Sequence, residues 1–126
     1  MLIRFVVAEW DEGSPHRLGI FQAARDLRDA GQFTAGELAQ ADAIMFWLAE
    51  HLASPSGHLW SRRRRAHAIS WFHRSARAHV ARARAMAALV ERKGIAVAAV
   101  VTDRPGRVLY EDQHQVVAVP ETGERL

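Results

Sequence analysis

Helical and strand periodicities alternate along this chain, and that alternation restricts the fold more than any other feature. Leu38, Ala41, Met45, Leu48 and Leu52 recur at three- and four-residue spacing, and Ala76, Ala83, Met86, Ala87 and Val90 share one face of a second wheel. Between and around them stand short runs rich in Val, Ile and Phe, at 2–9, 68–72, 95–102, 107–111 and 115–119, too short for helices and bounded by turn residues. A helical stripe must be covered by another layer, and strands must find neighbours. The expected fold is therefore α+β: a four- or five-stranded mixed or antiparallel sheet with three helices packed mainly on one face, in the order β-αα-β-α-β-β-β.

Local signals set the expected boundaries. Ser14-Pro15 pairs a capping residue with proline at the first helical position, and Ile20, Phe21, Ala24 and Leu27 continue on one face to Gly31, which predicts helix one over about 15–30. Thr34 and Glu37 form a capping box ahead of helix two, with Phe33 and Leu38 as its hydrophobic staple. Helix two is apolar nearly all round, since Ala43, Ile44, Phe46 and Trp47 lie off its main stripe, so it is expected to be central or to meet another chain. Ser75 is the expected cap of helix three, over about 76–93. The run 95–102 reads as a central strand, and the Pro105-Gly106 turn sends the chain back along 107–111. Length fits one domain over 1–120 with a frayed tail at 121–126.

Cysteine is absent, so disulfides, thiolate metal sites and thiol nucleophiles are excluded together. The first residues lack the pattern of a secretory leader and no apolar run approaches the roughly 18 residues of a membrane helix, which gives a cytoplasmic expectation with no membrane partner. No glycine-rich phosphate loop, nucleophile elbow or dinucleotide fingerprint occurs, so no cofactor is implied. His73 and His79 lack the four-residue spacing of a helical metal site, which argues against zinc and favours a hydrogen-bonded, partly buried His79.

Charge is the strongest functional signal. The net charge is only +3, but residues 1–58 carry −4, residues 59–94 carry +9 and residues 95–126 carry −2. Arg62, Arg63, Arg64, Arg65, Arg74, Arg77, Arg82 and Arg84 are interleaved with Trp60, His67, His73 and His79. Guanidinium groups grip phosphates in pairs of hydrogen bonds and flat rings stack on bases, so the segment suits nucleic acid, with an acidic protein as the alternative partner. The competing reading is a solvated helix face and basic loop. Phe46 and Trp47 on helix two are a candidate interface for a regulatory or immunity-type module, in its simplest form a homodimer. Glu111, Asp112 and His114 at a strand-to-strand turn are the candidates for a further alternative, a metal-assisted nuclease or phosphate-transfer enzyme.

Overall fold

The computed structural model of the protein describes residues 1–10, 16–54 and 67–121, which form an α+β fold. In chain order the elements are β1 (Leu2–Trp10), β2 (Arg17–Gly19), α1 (Ile20–Asp29), α2 (Ala35–His51), β3 (Ile69–His73), α3 (Arg77–Glu91), β4 (Val97–Thr102), β5 (Arg107–Glu111) and β6 (Gln115–Val119). All strand pairings are antiparallel. One edge of β1 carries β4, in register from Leu2 opposite Thr102 to Val7 opposite Val97. Its other edge is divided between β3, opposite Leu2 and Ile3, and β2, opposite Val6 and Trp10. From β3 the sheet continues to β6 and then β5.

Side chains alternate across the sheet, and each face has its own core. Ile3, Phe5, Val7 and Phe72 meet the helices, where they pack with Ile20, Ala24, Leu48, Met86 and Val90. The other face buries Leu2, Ile69, Trp71, Val116 and Ala118, with Val100 against them. Chain reach explains how this second cluster is enclosed. β4 and β5 are four interstrand spacings apart in the strand order, about 19 Å in a flat sheet. The five residue steps from Thr102 to Arg107 reach about 18 Å at most. The sheet must therefore coil, bringing its two edges towards each other around the second cluster.

Helix two forms as its capping box dictates. The Thr34 hydroxyl accepts from the Glu37 backbone at 3.2 Å, and the Glu37 carboxylate accepts from the Thr34 backbone at 2.9 Å. Lys93 pairs with the same carboxylate, tying the end of α3 to the start of α2. The Lys93 hydrogen bond, with the Thr34 backbone next, holds the Glu37 pKa down at about 2.

Four expectations, and one of the two alternatives for helix two, are corrected. Helix one begins at Ile20 with Gly19 as its N-cap, because Arg17–Gly19 is drawn into β2 by pairing with β1; Ser14 and Pro15 lie outside the described residues. Helix three is capped by Ala76 with no side-chain hydrogen bond, so Ser75 does not serve that role. The apolar run of β4 is an edge and not a centre: among the described residues it pairs only with β1, and Val101 is 50% exposed. The strand after Pro105-Gly106 does not pair with β4 but with β6 at the opposite edge. Of the two expectations for helix two, the central position does not hold: the helix is peripheral, with Ala41 and Leu48 buried and Phe46 67% exposed. The helix-linked strands β3 and β4 are nevertheless parallel, with β1 inserted between them, a split form of the β-α-β unit. The tail at 122–126 lies outside the described residues.

Gly106 is required by its backbone. Its φ is 101°, and an added Cβ would strike the Val119 carbonyl oxygen and the Pro120 backbone. Gly36, in the first turn of α2, faces open space. Gly106→Ala is expected to destabilise the protein by about 1–3 kcal/mol or more, whereas Gly36→Ala should stabilise it by about 0.5–1 kcal/mol. Urea unfolding of the two variants checks both signs.

Candidate functional site

Three segments far apart in the chain meet at the C-terminal end of α2. Trp47 and His51 stand one turn apart on that helix, which places one above the other, and their rings stack with centroids 4.2 Å apart. From the facing helix α3, the Arg82 guanidinium lies 4.3 Å from the Trp47 ring and His79 approaches the same ring edge-on at 4.9 Å. The β5–β6 turn contributes His114, whose ring stacks on His79 at 4.2 Å. Trp47, His51, His79 and His114 with Ser75, Arg77 and Gln113 line a surface concavity of about 580 Å³. None of its described lining residues is a carboxylate.

Hydrogen bonds fix the inner members of this cluster. His79 is only 5% exposed, and its Nε2 lies 2.8 Å from the His51 carbonyl oxygen. A carbonyl only accepts, so Nε2 carries the proton and donates. His51 Nδ1 donates likewise to the Trp47 carbonyl at 2.8 Å. The sequence expectation of a hydrogen-bonded His79 holds, and its partner is the last residue of α2.

Glu111, Asp112 and His114 are neighbours in sequence but are not brought to one point. Glu111 pairs with His73 at 3.0 Å, and His114 turns towards His79. Asp112 holds the turn: it accepts from the backbone amides of His114 (2.8 Å) and Gln115 (3.0 Å), from the Gln115 side chain (3.2 Å) and from the Tyr110 hydroxyl (2.8 Å). Burial raises the Asp112 pKa, but these donors outweigh it and bring it down to about 2. The same hydrogen bond to Asp112, helped by burial, raises that of Tyr110. Among the described residues no group of three or more His, Cys, Asp and Glu could hold a metal ion.

The other candidates divide. Arg62, Arg63, Arg64, Arg65 and Trp60 lie outside the described residues. His67 is half-buried, and Arg74, Arg77 and Arg84 are exposed. Arg77 lines the concavity, Arg84 lies 5.3 Å from the Phe5 ring, and Arg74 reaches the Met1 sulfur at 3.2 Å. Trp47 belongs to the cluster, while Phe46 is exposed. The convergence of His51, His79 and His114 was not legible in the sequence, where only the four-residue spacing of Trp47 and His51 hinted at a stacked pair.

No protein-family model, curated protein or solved structure matches this chain. Among the described residues no helix is long and apolar enough to cross a membrane.

The depressed Asp112 pKa has a definite pH signature. A group whose folded pKa lies below its unfolded value contributes stability above the unfolded pKa and loses it as pH falls towards the folded one. Asp112→Asn is expected to lower the urea midpoint at pH 7, and the gap from wild type should narrow between about pH 4 and pH 2. A gap that stays constant across that range would show that the carboxylate charge does not hold the turn.

Proposed function

We propose that this chain is a binding protein for an anionic partner, and that single-stranded nucleic acid is the partner its chemistry fits best. One observation carries the reading: Arg77 and flat rings line a concavity whose described lining has no carboxylate, and Arg82 rests on the ring of Trp47, one of those lining residues. Arg77 and Arg82 would meet phosphates, and the rings of His51, His114 and Trp47 offer faces and edges to bases. Arg74 and Arg84 add to the positive field around α3, which carries no acid before Glu91, and in the sequence the block Arg62 to Arg65, with Trp60 and His67, supplies further groups of the same chemistry. The engagement of Glu111, Asp112 and His114 with separate partners favours binding over phosphodiester cleavage.

The exposed Phe46 supports a second reading, a protein contact on the outer side of α2, with a second copy as its simplest form. Light scattering at high concentration separates wild type from Phe46→Ser if that contact is a dimer; equal monomeric mass for both removes the dimer.

Fluorescent single-stranded DNA and RNA, titrated across a salt series, test the first reading. Binding should weaken steeply with salt, and Arg77→Ser/Arg82→Ser should reduce the log–log salt slope by about 1.4, since each phosphate contact on a single strand contributes about 0.7. An unchanged slope in the double variant, or no binding to either nucleic acid at low salt, would overturn it. Capture of a polyanionic protein with no nucleic-acid binding would transfer the same arginines to an acidic protein partner.

A further inference from the structure

We propose that two copies of this chain join through the outer edge of β4, running antiparallel about a two-fold axis at Val100, an interface separate from the concavity and from Phe46. A strand carries backbone donors and acceptors on both edges, and β4 spends one edge on β1 in an unbroken register of six pairs, Val97 to Thr102. Among the described residues no strand pairs with its other edge. The coil of the sheet does not cover that edge: Ala98 on β4 and Val108 on β5, both on the side of the second cluster, are exposed.

Strand edges that stay free are guarded by charge, proline, bulges or shortness. The strands at the two ends of the pairing path carry such guards. β2 is three residues long, with a register shift against β1; β5 runs from Arg107 to Glu111, follows Pro105 and has a register shift between Val108 and Tyr110. β4, Val-Ala-Ala-Val-Val-Thr, has no charge, no proline and no register shift. Its pairing with Ile3 and Phe5 puts Val101 and Ala99 on the helix side of the sheet, yet both are exposed, an apolar margin continuous with the core. The strand's own pattern selects a second copy as its cover. With Val100 on the axis, Ala99 stands opposite the partner's Val101, Val101 opposite the partner's Ala99, and Ala98 opposite the partner's Thr102. A small residue meets a β-branched one at each position off the axis from 98 to 102, and no charges of like sign meet there. The pairing uses the β4 edge of both copies, so the assembly closes at two.

Sedimentation equilibrium of the whole chain, from micromolar to millimolar concentration, reads the association. Wild type and Phe46→Ser should both dimerise, which separates this interface from a contact on α2. Val101→Lys places an edge-guarding charge at an already exposed position and should weaken the dimer by about tenfold or more. Disulfide trapping checks the register in a chain that has no cysteine of its own. Under diamide, Val100→Cys should give a linked dimer, since its two copies face each other across the axis with Cα atoms about 4.5–5.5 Å apart, within disulfide reach. Ala98→Cys should not, because its copies stand four residues out of register, roughly 13 Å apart. A wild type that stays monomeric throughout, a dimer that Val101→Lys leaves intact, or equal linking of the two cysteine variants would each overturn the proposal. Should Val101→Lys fail to fold, the cysteine pair decides it. Nucleic-acid titrations bear on a different surface, so the two readings fail separately.

Discussion

The whole architecture hangs on the two backbone edges of β1. A strand has only two edges, and β1 gives one to β4 and splits the other between β3 and β2. Because β3 and β4 both run antiparallel to β1, they are parallel to each other, and α3 must cross from one to the other over the face that carries Ile3, Phe5 and Val7. That crossing seats Ala83, Met86 and Val90 on the sheet and carries His79 and Arg82 to the end of α2. The short connection from β4 to β5 then obliges the sheet to coil, which closes the second cluster around Trp71.

Contacts at the ends of the helical pair set its geometry. At the start of α2, Glu37 serves the capping box and receives Lys93 from just beyond α3; at its other end, the His51 carbonyl receives His79. The two helices are thus joined at both ends by polar contacts, with apolar packing between them. Burying an imidazole without a partner would cost more than a weak contact returns, so the His79 bond to a helix-terminal carbonyl is what allows a histidine inside this interface. It also occupies one of the carbonyls that every helix leaves unsatisfied at its C-terminus.

Charge follows a different logic from packing. Half of the sixteen arginines fall between residues 62 and 84, and α3 displays part of that block on its outer side, where desolvation costs nothing. Arg82 is the exception, since its guanidinium rests on Trp47 and is half-buried. A cation held on a ring in this way keeps its donors directed outward while losing side-chain freedom, a preorganised arrangement for meeting an anion.

The sequence by itself determined the type of every element except β2, the capping box at Thr34 and Glu37, the positive φ at Gly106 and the apolar stripes of α2 and α3. All of these depend on neighbours within a few residues, whose chemistry is visible in the chain. The start of helix one was misjudged because Arg17–Gly19 answers to β1, not to its own propensity. Strand order, the edge position of β4, the separate engagements of Glu111, Asp112 and His114, and the meeting of Trp47 with His79 and His114 were decided only by the tertiary structure. Strand pairing is made by backbone groups that are the same in every residue, so a run such as 95–102 reads alike whether it ends at the centre or the edge of a sheet. Only the closure of the chain around β1 selects between them.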